Sequence, residues 1–251
     1  MSYVMEAAAE NNIPVIVLDR PNPNGYYVDG PILEKEYKSF VGLHPVPVVH
    51  GMTIGEYATM VNGEGWLSNG VKCELEVVPC QNYTHLTEYI LPVPPSPNLP
   101  NQNAVTLYPS LCFFEGTNVS VGRGTDKPFQ QIGAPYFTDA PVSFVPKDRE
   151  GAMNPKYEGE KCNGYDLTEF AEFYVDGLGE LYLYWLIEAY KECPDKENFF
   201  TNYFNTLAGT DQLKKQIIAG KNVDEIKASW EKGITDFKKI RKKYLLYRDF
   251  E

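Results

Sequence analysis

The first eighteen positions alternate between two kinds of apolar pattern. Residues 4–10 are alanine-rich and favour a helix, Asn11 and Asn12 end that run, and residues 13–18 form an unbroken β-branched and apolar stretch closing on Asp19-Arg20. An apolar strand of this kind predicts burial on both faces of a parallel sheet, with residues 73–78 as a candidate neighbour. Helix followed by strand is the second half of a βαβ unit, and too few comparable strands follow to complete a doubly wound sheet. The pattern therefore predicts a chain that starts inside a parallel-sheet domain, with the first strands of that domain upstream of Met1.

Further along, Thr53 and Glu56 have the spacing of a capping box, and Tyr57, Ala58 and Met60 continue the helix they open. Asp166 and Glu169 make a second cap-like pair, and residues 181–190 read as a helix apolar nearly all round and hence buried. Residues 198–208 read as a helix stopped by Gly209, and residues 212–219 as another stopped by Gly220. Asn222 with Glu225 caps a last helix, in which Ile226, Trp230, Phe237 and Tyr244 mark one buried stripe.

Proline separates the two styles of structure. Eighteen of the nineteen prolines precede residue 156, which predicts short elements and shaped loops early and long helices late. The densest cluster, residues 92–100, is the best linker, because such a run favours an extended path. The predicted organisation is the trailing portion of a parallel-sheet domain over residues 1–95 and a second domain rich in helices over residues 96–251.

Composition narrows the function. The 251 residues are 43% apolar and carry 34 acidic against 23 basic side chains, a net charge of −11, which argues against nucleic acid as a partner. No apolar run reaches the roughly 20 residues of a membrane helix, so no membrane span is predicted. Five cysteines, none in a C-x-x-C pair, predict no disulfide framework, and His44, His50 and His85 have no metal-binding spacing. Nucleotide fingerprints are absent as well, since Gly122-Arg123-Gly124-Thr125 matches neither the dinucleotide nor the P-loop pattern. Neither a cofactor nor a metal is expected. The 18 tyrosines and 3 tryptophans suit either packing or a sugar ligand.

Three stretches bring polar groups to places where a loop meets a regular element. The first is residues 19–25, with Asp19, Arg20 and Asn22 at the carboxyl end of the predicted strand, where open α/β sheets bind ligands; a rigid turn uses the same residues. The second is residues 50–56, with His50 and Glu56, where capping already gives Glu56 a structural job. The third is residues 114–125, which set Glu115, Asn118, Ser120, Arg123 and Thr125 among glycines. A solvated loop would read the same way, but such a loop also lets backbone and side chains approach a ligand closely. Glycoside hydrolysis uses two carboxyl groups, and Asp19, Glu56 and Glu115 are the ones these stretches supply.

Taken in order, the stretches VIVLDRPNPNG, VDGPILEKEYKSFVG, HGMTIGEYA, SPNLP and LYPSLCFFEGTNVSVGRGTDKPFQQIGAPY, with the tail FNTLAGTDQLKKQIIAG, KASW and KKYLLY, resemble the NamZ family of peptidoglycan exo-β-N-acetylmuramidases. The resemblance spans nearly the whole chain. It implies a glycoside hydrolase that removes N-acetylmuramic acid from the non-reducing end of peptidoglycan fragments, with a Rossmann-like first domain, an α+β second domain and a cleft between them. It further implies an extracytoplasmic place of action and muropeptides as partners. Candidate catalytic residues are Glu56 and Glu115; candidate substrate-binding residues are Asp19, Arg20, Asn22, His50, Asn118, Ser120, Arg123 and Thr125. Arg123 is matched to the lactyl carboxylate of muramic acid, an anion that an acidic protein must meet with a local cation. The family's Pro-Glu-His-Gly motif, with its proposed catalytic glutamate, does not occur in this chain, which again points to a trailing portion. A non-catalytic muropeptide-binding module and a degenerate remnant are the alternative expectations.

Overall fold

The computed structural model describes residues 1–171 and 178–251. Helix α1 (Ser2–Glu10) ends at Asn11, and Asn12 turns the chain with a φ of 54° into strand β1 (Val15–Leu18). β1 pairs in parallel with β4 (Leu75–Val78), Val15 opposite Leu75 and Leu18 opposite Val78, so the strand neighbour expected from the sequence is the one observed. Helix α2 (Ile54–Gly63) starts at the Thr53–Glu56 capping box, both halves of which are formed. Met5 of α1, Val17 of β1, and Ala58 and Val61 of α2 share one buried cluster, which places both helices against the same side of the strand.

The expectation that β1 is buried on both faces is not met. Val17 is 5% exposed, whereas Ile16 is 60% and Leu18 72% exposed. An unbroken apolar run specifies two buried faces only where something lies on each, and among the described residues nothing covers the second face.

Between the parallel strands, β2 (Asp29–Ile32) and β3 (Pro47–Val49) form an antiparallel pair. Residues 79–101 contain no helix or strand, in keeping with their proline content. Helix α3 (Gln102–Leu111) is capped by Asn101 and runs into a 3₁₀ turn, Cys112–Gly116. A three-stranded antiparallel sheet follows, β5 (Gln131–Ala134) and β6 (Val142–Phe144) flanking β7 (Cys162–Asp166). The Asp166 carboxylate accepts from the Thr168 amide at the start of a helical turn over residues 168–171, and residues 172–177 lie outside the described residues.

Helices α4 (Tyr184–Glu192), α5 (Phe204–Ala208), α6 (Gln212–Ile218) and α7 (Val223–Arg241) complete the chain. Two helix expectations need correction. α4 buries Leu186, Ile187 and Ala189 but leaves Tyr184 exposed, so it is one-sided rather than buried all round. Residues 198–203 are not helical: the Phe199 carbonyl accepts from the Asn118 amide, the Thr201 amide donates to Gly116, and Phe200 bridges Thr117. Pairing with the loop after α3 satisfies these backbone groups instead of a helix.

Leu107, Phe113, Phe114, Ile132, Leu186, Phe204 and Ile226 belong to one large core. α7 lies across β2, where Trp230 Nε1 donates to Asp29 Oδ1 at 3.0 Å, and Phe237 packs with Met52 and Met60. The predicted stripe of Ile226, Trp230 and Phe237 is thus core, and Tyr244 packs beside it beyond the helix end.

Candidate active site

Two of the three polar stretches meet at the amino end of α2. Asp19, just past β1, accepts from Thr53 Oγ1 at 2.7 Å, the Gly55 amide at 2.8 Å and the Tyr247 hydroxyl at 2.6 Å. A carboxylate at this position is favoured by the free amides and the positive end of the helix dipole. Glu56, 0% exposed, accepts from the Thr53 amide at 2.9 Å, the Leu246 amide at 2.9 Å and His85 Nε2 at 3.0 Å. His85 Nδ1 lies 3.1 Å from the Gly25 carbonyl, so the buried ring ties Glu56 to the turn after β1. Asp19 and Glu56 therefore hold the chain's last residues onto α2, and Glu56, with three donors and no exposure, is closed to a substrate. Asn22 is likewise occupied, donating to the Met52 carbonyl and accepting from the Asn24 amide, while Arg20 is exposed.

His50 leads out of this knot toward an open site. Its neighbour Gly51 has a φ of 60°, and a Cβ there would stand 2.6 Å from the Tyr27 carbonyl, so only glycine fits. The Gly51 carbonyl accepts from Arg241, which also forks onto Asp249 at 2.7 and 2.8 Å. His50 Nδ1 accepts from the Met52 amide at 3.2 Å, so the proton of the neutral ring sits on Nε2. Burial, reinforced by the Arg241 charge, pushes His50 down to about 4, which keeps it a neutral donor at ordinary pH.

His50 lines a cavity of about 410 Å³ together with His44, Tyr57, Tyr108, Tyr203 and Glu115, among aliphatic residues such as Leu33, Leu43 and Leu207. Among the described residues, Glu115 is the only carboxylate that lines it. The same glutamate borders a second cavity of about 220 Å³, lined also by Ser120, Arg123, Asn154 and Lys156. Arg123 donates to Glu115 at 3.2 Å and to the Gly151 carbonyl at 3.2 Å. The glycine-rich loop that carries these groups is shaped by Gly122, at a φ of 73°, where a Cβ would stand 2.6 Å from the Lys127 carbonyl.

The remaining candidates brace this loop. Thr125 Oγ1 donates to the Gly122 carbonyl at 2.6 Å and accepts from Gln131, and Ser120 Oγ accepts from the Gly122 amide at the edge of the smaller cavity. Asn118 accepts from Tyr136 through its side chain and from Tyr157 through its carbonyl. The structure thus brings His50, Glu115, Ser120 and Arg123 to cavity walls, and leaves Asp19, Asn22, Glu56, Asn118 and Thr125 in supporting bonds. Sequence reasoning missed His44, Tyr57, Tyr108, Tyr203 and Lys156. Tyr57 and Tyr108 fall inside the stretches singled out above, one and seven positions from the glutamates, whereas Lys156 carries no local signal.

Chemically, the larger cavity joins aromatic and aliphatic walls, a neutral imidazole donor and one carboxylate, a combination suited to a neutral polyhydroxylated ring. The smaller one adds a guanidinium on the other side of that carboxylate.

A family model described as exo-beta-N-acetylmuramidase NamZ, N-terminal, matches residues 1–103, and its C-terminal counterpart matches residues 106–247. The peptidoglycan beta-N-acetylmuramidase NamZ of Bacillus subtilis (strain 168) is 40% identical over 265 residues, covering 98% of this chain; the chain spans 63% of that relative's length. Among solved structures, one DUF1343 family protein of Bacteroides fragilis NCTC 9343 superposes with a TM-score of 0.94 at 50% identity over 99% of this chain and 70% of its own. A second from the same organism gives 0.75 at 26% identity over 97% and 69%. With both halves matched by the paired models, the chain belongs to the NamZ exo-β-N-acetylmuramidase family.

Proposed function

We propose that this chain forms the sugar-binding cleft of a peptidoglycan exo-β-N-acetylmuramidase, which releases N-acetylmuramic acid from the non-reducing end of peptidoglycan fragments outside the cytoplasm. The observation that carries the reading is the placement of Glu115, the one carboxylate on the wall of the larger cavity, with Arg123 behind it on the smaller. Glu115 acts on the glycosidic bond, His50 donates from Nε2 to a sugar oxygen, and Arg123 meets the lactyl carboxylate. Glu56, Asp19, Asn22, Asn118 and Thr125 support the cleft, Ser120 lines it, and Arg20 contributes positive charge near the end of β1.

The same reading assigns residues 1–95 to a Rossmann-like domain and 96–251 to an α+β domain. In it, β1 and β4 are two strands of a larger parallel sheet, whose further elements cover the apolar face bearing Ile16 and Leu18. Two-carboxylate hydrolysis then takes its second carboxyl group from that larger domain, since the described cavity wall supplies one.

A single carboxylate on the wall also favours a second reading, a muropeptide-binding module without turnover. Release of N-acetylmuramic acid from a chromogenic muramide separates the two. The first reading expects turnover that disappears in Glu115→Gln; binding of N-acetylmuramic acid with no turnover under any condition selects the second; neither binding nor turnover rejects both.

A further inference from the structure

Lys156 lies between Pro155 and Tyr157, far in sequence from the glycine-rich loop, yet its ammonium ends inside the turn that carries Glu115. Nζ donates to the carbonyls of Phe114, at 3.4 Å, of Thr117, and of Val119, at 2.8 Å. Three hydrogens meet three carbonyls, so the group has no donor left for a ligand. The carbonyls bracket Glu115 on both sides, and the lysine shares the wall of the smaller cavity with Glu115, Ser120 and Arg123. A turn with three carbonyls converging on one point is held open by mutual repulsion unless a cation sits among them.

We propose that Lys156 is a positioning residue, whose three-carbonyl clamp sets the Glu115 carboxylate and the Arg123 guanidinium at the sugar site. The proposal rests on the muramidase-cleft reading given above and deepens it.

The clamp has a distinctive pH signature. Burial pushes the Lys156 ammonium down to about 8, opposed by the Glu115 charge. Of the groups around it, Glu115 and Arg123 line the same cavity, and burial pushes the adjacent Tyr157 up to about 12. Deprotonation removes one donor and the charge, so the turn loosens. Global stability moves the other way: between about 8 and the ordinary 10.5 the unfolded chain binds more protons than the folded one, and linkage makes stability rise with pH there. A functional loss above pH 8 without a stability loss therefore reports the clamp and not unfolding.

The test follows the ¹³C resonances of the Thr117 and Val119 carbonyls and the Glu115 carboxylate from pH 6.5 to 9.5, in the wild-type chain, Lys156→Arg and Lys156→Met. N-acetylmuramic acid is titrated into each, with thermal unfolding recorded at the same pH values. The expected result is a common midpoint near pH 8 in the wild type, a matching decline in sugar affinity, and no such midpoint in Lys156→Arg, whose guanidinium stays charged. Lys156→Met is expected to bind on the order of tenfold more weakly at every pH. Absence of the midpoint in the wild type overturns the clamp, and so does a sugar affinity with the same pH dependence in the wild type and Lys156→Arg. A titrating turn in a wild-type chain that binds no N-acetylmuramic acid overturns the muramidase-cleft reading and the positioning role together, while leaving the three hydrogen bonds in place.

Discussion

Glu56 and Glu115 sit in two stretches that look alike on paper, each a glutamate among glycine, threonine and aromatic residues. The fold gives them opposite surroundings. Glu56 is fully buried with three donors on its two oxygens, from the Thr53 and Leu246 amides and from His85. Glu115 stands between two cavities with one guanidinium beside it and its carboxylate partly open. A buried carboxylate with three donors has spent most of its acceptor capacity on the fold, and a partly open one keeps lone pairs for a ligand. On the proposed reading, the difference assigns chemistry to the glycine-rich loop and architecture to the α2 capping box.

Exchanging each glutamate for glutamine sharpens that division. Glu115→Gln is expected to lower N-acetylmuramic acid release on the order of 10³-fold with little change in unfolding temperature. Glu56→Gln should do the reverse in kind, because an amide has one acceptor oxygen for the three donors that the two carboxylate oxygens share. A loss of about 3 kcal/mol is expected, equivalent to roughly 6–12 °C in thermal unfolding. Equal stability losses in the two variants would erase the comparison.

Arg123→Ala is a smaller and more selective change. It should weaken N-acetylmuramic acid on the order of tenfold while leaving N-acetylglucosamine, which lacks the lactyl group, nearly unaffected. Equal weakening of both sugars would remove Arg123 from carboxylate recognition.

The smallest effect is in pH dependence. Burial lowers His50 to about 4 and lowers His44 in the same direction. Between 6.5 and about 4 the unfolded chain binds more protons at His50, so stability is complete above pH 6.5 and declines as the pH falls through that window. His50→Gln should flatten this decline, which urea unfolding at pH 4.5 and 7 would register; an unchanged pH slope would show that His50 is not held neutral.

Local chemistry explains what the sequence made legible. Thr53 with Glu56 and Asn222 with Glu225 are capping boxes written in four consecutive residues, and both form. β1 and its partner β4 were readable from apolar runs, and the proline-rich segment from φ restriction. What was hidden depends on distant partners. Nothing near Glu56 announces that Leu246, 190 positions away, will occupy one of its oxygens, nor does anything near Glu115 announce Lys156. Residues 198–203, read from the sequence as the start of a helix, pair instead with residues 116–118. The bare face of β1 was also unreadable, since an apolar pattern states what a surface needs and not whether the need is met. For the site, spacing nominated both glutamates, and only the fold distinguished them.

The most direct test of this division is a titration of the chain with N-acetylmuramic acid that follows the side-chain carboxylate ¹³C resonances of both glutamates. The account predicts a saturable shift at Glu115 and none at Glu56. A shift at Glu56 with Glu115 unmoved, or silence at both, would contradict it.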